Sequence, residues 1–212
     1  MRNIPIFTAE YGIASLILDQ IPYTATAYVH IRSVSNLGAF LEECKDFCRA
    51  AGAEKIFATG ARLDDYPPVY EIFTFKRPLR REEQPLTASL VQISEQTLDQ
   101  WLDAYHSAMA HIDGAAYLSK LEAKRLLQDG HTYFVFDDNR LLGIGVVKGE
   151  NIDVIASLVP GCGTRVFHTL CQCLSGPDVV VNVASTNLRA IRFYKKLGFA
   201  LDSCKEKWYQ IL

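Results

Sequence analysis

The 212 residues contain no apolar run near the roughly 20 residues that a bilayer span requires. Stretches such as 12–18 and 179–183 stop far short. The start, Met1-Arg2-Asn3-Ile4-Pro5, has no long apolar core and no small-residue cleavage site, so no secretion signal is read there and a cytoplasmic location is expected. There is little charge imbalance: 22 basic against 24 acidic side chains, net −2, which argues against a nucleic-acid partner. With 49% apolar and 22% charged residues, the composition excludes collagen, a coiled coil and disorder along the whole chain. None of the six cysteines (44, 48, 162, 171, 173 and 204) forms a Cys-x-x-Cys pair or has zinc spacing to a histidine. They read as small buried hydrophobes in a reducing compartment, with no metal site.

What is present is an alternation of strand and helix patterns. In the first part, residues 12–18 and 24–34 read as strands, the second alternating Ala27, Val29 and Ile31 with Thr26, Tyr28 and His30. Leu37, Phe40, Leu41, Cys44, Cys48 and Ala51 then fall on one helix face between Asn36 as cap and Gly52 as stop. Short strands follow at 55–59 and 70–75, with a loop at Asp64-Asp65-Tyr66-Pro67-Pro68. Residues 76–85 carry a basic run (Lys76, Arg77, Arg80, Arg81), two acids and two prolines, and read as a solvated linker. The expected division is 1–84 and 85–212. From residue 87 the order is strand, two helices (one with Leu98, Trp101, Leu102, Tyr105 and Met109 on its apolar face, one over 115–128), and a hairpin around Asp138-Asn139-Arg140. Strand 152–159, helix, strand 179–184, helix 187–197 and one or two strands over 201–212 complete it. This predicts an α/β fold: a mixed central sheet flanked by helices. The first part follows a partial copy of the same order.

Two segments carry chemistry. In the first, a helix begins at Asn187 and ends before Gly198, and Asn187 and Tyr194 lie seven residues apart, about two turns, on one side of it. An amide at the helix start can hydrogen-bond a ligand amide, and a phenol farther along can protonate a leaving group. The bland alternative makes Asn187 a cap, Tyr194 a core residue and Gly198-Phe199 a helix stop. In the second, Leu158-Val159-Pro160-Gly161-Cys162-Gly163-Thr164 is a strand end that turns through glycines into a helix, the kind of terminus that binds phosphate oxygens through backbone N–H groups.

The spacing of Asn187, Ala190, Tyr194, Gly198 and Phe199 closely resembles the signature of the GNAT superfamily of acyl-CoA N-acyltransferases, over about 125 residues. The resemblance implies a GNAT-like fold for 85–212, with 1–84 as a degenerate half domain that serves as packing, a lid or an acceptor wall. It implies transfer of an acetyl group from acetyl-CoA to a primary amine, a small molecule or a peptide, by direct attack in a ternary complex without a metal. It assigns coenzyme binding to Leu158, Val159, Gly161, Cys162, Gly163, Thr164, Asn187 and Tyr194. Leu158 and Val159 would supply backbone donors to the thioester carbonyl, Tyr194 would be the acid, and Asp153, upstream on the same strand, the base. His106 and His111 stand where members of the family shape the acceptor pocket; as metal ligands they are misplaced, being about 140° apart on a helix. The glycine turn departs from the family pattern: Leu158 stands where an Arg or Gln is usual, and the loop is short, with Arg165 the nearest cation. That departure carries the alternative, a GNAT-like binding or scaffold protein without catalysis.

Overall fold

A computed structural model describes residues 2–60, 62–63, 67–80, 88–110, 112 and 115–212. They divide into two compact units: unit 1 holds the chain to Ile72 together with Cys204–Leu212, and unit 2 holds Phe73–Ser203.

In unit 1, strands β1 (Ile4–Ala9), β2 (Gly12–Ile17), β3 (Thr26–Val34) and β4 (Lys55–Gly60) lie side by side, followed by β11 (Ala200–Gln210). β2 and β3 are antiparallel, β3 and β4 parallel. That parallel pair needs a crossover, which helix α2 (Leu37–Ala50) provides. The Asn36 side chain caps it by accepting from the Ala39 N–H, and Phe40, Leu41, Cys44 and Cys48 bury against Ala27, Val29 and Ile31. The opposite face of the sheet carries rings instead of the solvated side chains that alternation suggests. Trp208 packs edge-on to Tyr28 and His30 and stacks near Tyr70, and Tyr28 stacks with Phe57. A short helix α1 (Ile21–Thr24) takes the first residue of the expected second strand.

In unit 2 the strand order is β5 (Tyr70–Pro78, from Phe73 onward), β10 (Asp178–Ala184), β9 (Asn151–Ser157), β8 (Arg140–Lys148), β7 (Thr132–Asp137) and β6 (Ala88–Gln92). β6 to β9 form an antiparallel meander, and β10 runs parallel to β9. The expected hairpin is present, with Asp138 in the left-handed region (φ 52°). One face is covered by α5 (Gly163–Leu170) and α6 (Leu188–Lys196), which bury Phe167, Leu170 and Tyr194 with Val179, Val181 and Phe199. The other is covered by α3 (Leu98–Met109) and α4 (Lys120–Asp129), around Trp101, Phe134 and Ile144. α4 begins later than the periodicity implies, because Ser119 and Glu122 form a reciprocal capping box that sets the first turn.

The linker reading of 76–85 needs correction at its start. β5 runs to Pro78, Lys76 pairs with Asp178 at 2.9 Å, and Arg77 is buried. Residues 81–87, like 64–66 of the expected loop, lie outside the described residues.

Candidate functional site

β9 is fully paired on one side only. Against β8 its register runs from Gly143–Ser157 to Lys148–Asn151, with an irregularity where Ile152, Asp153 and Val154 oppose Val146 and Val147. Against β10 it pairs at Asn151–Val180, where the Val180 N–H donates to the Glu150 carbonyl at 2.9 Å. Beyond that point the two parallel strands separate. The Leu158 N–H donates to the Leu142 carbonyl at 2.8 Å, toward β8. In an antiparallel ladder successive residues direct their backbone groups to opposite sides, so those of Ile155 and Ser157 point into the gap. The backbone donor expected from Leu158 is therefore engaged with β8, and Ile155 and Ser157 are the residues whose parity faces the gap. The Val159 carbonyl accepts from the Cys162 N–H and from the Ser157 hydroxyl at 2.7 Å; these bonds tie the strand end to the glycine turn.

That turn opens α5. Gly161 has φ 80°, a conformation other residues rarely adopt. Cys162 precedes the helix without a side-chain cap bond, so the first-turn N–H groups point outward without helical partners. The Phe193 ring packs beside Gly163: a Cβ there would meet it at 3.4 Å, an ordinary contact distance. Arg165 pairs with Asp137.

α6 supplies the facing wall. The Asn187 side-chain oxygen accepts from the Ala190 N–H at 3.1 Å, so this residue does cap its helix, and the amide nitrogen remains the end able to meet a ligand. The Phe199 N–H returns to the Tyr194 carbonyl through Gly198 at φ 83°. Tyr194 is 5% exposed, and burial pushes its pKa up to about 12.

These elements line an open cavity of about 610 Å³. Of the residues singled out from the sequence, Leu158, Gly161, Gly163, Thr164, Asn187 and Tyr194 line it, while Val159, Cys162 and Asp153 do not. Asp153 is exposed, at the irregular point of β9. His106 turns elsewhere, bonding the Leu118 carbonyl at 2.9 Å and stacking on Tyr117; His111 lies outside the described residues. Met109, read as core, lines the cavity with Ser107, Ala108 and Ile112. Arg189 also lines it and was missed. Its signal was its place, two residues after Asn187 in the first turn of the same helix. Among the described residues no carboxylate or imidazole lines the cavity, and no cluster of three or more His, Cys, Asp or Glu could hold a metal ion.

No family model matches the sequence, and no curated protein matches it. Solved structures do. A GCN5-related N-acetyltransferase from Sphaerobacter thermophilus superposes with a TM-score of 0.59 at 14% identity, over 93% of this chain and 75% of that one. The fold is that of the GNAT superfamily. A GNAT-family acetyltransferase from Colwellia psychrerythraea (TM-score 0.50, 14% identity, 97% and 83% covered) is also similar. So is a tandem GNAT protein from the clavulanic acid biosynthesis pathway (TM-score 0.51, 15% identity, 94% and 78% covered). In this GNAT fold the parted strands, the glycine turn and α6 surround one cavity, and every residue lining it belongs to unit 2.

Proposed function

We propose that unit 2 is an N-acyltransferase that takes an acetyl group from acetyl-CoA and delivers it to a primary amine. The observation that carries this is the separation of β9 from β10 beyond Asn151, with the cavity opening beside it. The residues present fit the coenzyme. Unpaired backbone at Ile155 and Ser157 suits a pantetheine arm, which hydrogen-bonds like a strand. The start of α5 and the Arg189 guanidinium suit its phosphates. When bound, the coenzyme supplies an activated acyl carbon as a thioester. The amine nitrogen attacks that carbon in the ternary complex; the C–N bond forms, the C–S bond breaks, and the electron pair leaves on sulfur. The backbone N–H of Ile155 or Ser157 stabilises charge on the carbonyl oxygen. Tyr194 meets the departing sulfur with a protonated phenol. A thiol near its ordinary pKa of about 9 is a stronger acid than a phenol near 12. Tyr194 therefore donates a hydrogen bond to the thiolate without giving up its proton. The proton shed by the nitrogen goes to solvent, because Asp153 stands outside the cavity.

A second reading, coenzyme binding without catalysis, is favoured by the lack of any basic carboxylate or imidazole among the described residues lining the cavity. One experiment separates the readings. Coenzyme A and acetyl-CoA are titrated in a thermal-shift assay, followed by an amine screen that detects free thiol. Ligand at 100 times its Kd should stabilise the protein by about 2.7 kcal/mol. No shift at millimolar ligand overturns coenzyme binding altogether. A shift without thiol release from any amine class, small-molecule or peptide, supports the non-catalytic reading.

A further inference from the structure

A buried cation of unit 2 lies outside the cavity. Arg77, on β5, is only 6% exposed. Its guanidinium lies over two aromatic rings, 5.1 Å from the centroid of Phe167 and 5.5 Å from that of Phe199. One of its N–H groups donates to the Leu197 carbonyl at 2.8 Å. Leu197 is the C-terminal cap of α6, the negative end of that helix. Phe167 belongs to α5, and Phe199 follows the turn that ends α6. Thus one planar cation touches both helices that wall the cavity. It reaches α5 through a ring, and α6 through a carbonyl and the ring contacting Tyr194, whose centroid is 5.4 Å from that of Phe199.

We propose that Arg77 is a positioning residue for coenzyme binding: it sets the spacing of α5 and α6, and so the width of the cavity between the glycine turn and Tyr194. This rests on the coenzyme reading above. A guanidinium suits the place because its plane covers two rings while its edge donates to a carbonyl; an ammonium supplies charge and donor but no plane. The spacing matters because the walls already touch, with Phe193 of α6 closing against Gly163 and Phe167 of α5. The contacts of Arg77 with Leu197, Phe167 and Phe199 reach the cavity through the two helices.

The test measures coenzyme A affinity by calorimetry in wild type, R77K and R77M, with urea midpoints recorded alongside. Phe134→Leu, in the core on the far side of the sheet, is the control for stability alone. R77K, which keeps the charge and a donor, should bind about threefold more weakly, and R77M at least about tenfold, from loss of the ring and helix-end contacts. Phe134→Leu should bind like wild type despite a lower midpoint. Affinities within twofold of wild type in folded R77K and R77M overturn the proposal, as does equal weakening in Phe134→Leu. If neither Arg77 variant folds, Arg77 is a requirement of the fold and the positioning role is overturned. If wild type binds no coenzyme A, the function proposed for the cavity falls and this inference falls with it; loss of the Arg77 effect alone leaves that function standing.

Discussion

Tyr194 is held between Phe193 and Phe199 with little exposure, and its pKa of about 12 keeps the phenol protonated far above neutrality. A hydrogen-bond donor to a leaving thiolate is useful only while it retains its proton. A raised pKa extends that condition toward higher pH. With a responsive amine, Tyr194→Phe should lower kcat about 10- to 100-fold while the acetyl-CoA KM stays within about twofold, since the contact is made late in bond breaking. The wild-type rate should show no alkaline loss from this group below pH 10. Steady-state kinetics from pH 6.5 to 10 reads both effects; equal kcat in the two proteins would remove the role from Tyr194. Asn187 shows how one residue serves two readings: its side-chain oxygen caps α6, and the residue lines the cavity. Sequence spacing found both residues because seven positions on a helix recur on one side. It could not find that Asp153 falls outside, because the irregularity in β9 resets which residues face the gap.

At the scale of elements, the site depends on how α5 lies on the sheet. Gly143 and Gly145, both on β8, make that approach: a Cβ on Gly143 would meet the Ala156 carbonyl at 2.4 Å and Val166 at 2.7 Å, and one on Gly145 would meet Leu170 at 2.5 Å. Backbone cannot yield as a side-chain tip can. Gly143→Ala should destabilise the protein by about 1–3 kcal/mol through overpacking. It should also weaken coenzyme A binding, because α5 carries the glycine turn. Urea denaturation and calorimetry check the two effects, and an unchanged midpoint would mean that β8 and α5 have room the geometry does not show. The strand and helix order of both parts was readable from periodicity, including the caps at Asn36 and Gly198. β1 and α1 were not, because Ile4–Ala9 alternates too weakly and α1 is a single turn ending at Ala25 in the left-handed region.

Across the whole molecule, buried acids of high pKa link stability to pH. Burial pushes Tyr105 and Tyr194 up to about 12, and the thiols of Cys44 and Cys48 up to about 12 and about 11. Their ordinary values are 10.0 for the phenols and 9.0 for the thiols. Above those values the unfolded chain releases protons that the folded chain keeps. Unfolding therefore becomes easier as pH rises: the stability is whole below about pH 9 and is lost as pH climbs through 11 and 12. Each phenol accounts for on the order of 2 kcal/mol by pH 12. Urea midpoints between pH 8 and 11.5 should decline steadily above pH 9, less steeply in Tyr105→Phe; a flat profile would contradict the burial of these groups. Cys44 and Cys48 belong to unit 1 and Tyr105 and Tyr194 to unit 2, so both units feel the loss. No described helix is long and apolar enough to cross a membrane.

Local rules were enough for the elements, their order and the identity of the cavity helix, because periodicity, capping and glycine turns act within a few residues. The Asn187-to-Phe199 spacing was sufficient to name a fold family, since one helix with its cap and stop holds that whole pattern. Contacts between distant segments were not written in any local pattern. The parting of β9 from β10, the commitment of the Leu158 N–H to β8, and the burial of Arg77 within a run that looks solvated all arise from which strands become neighbours. Neighbourhood in a sheet is a property of the folded chain: burial and hydrogen-bond supply depend on residues more than a hundred positions away, as from Arg77 to Leu197.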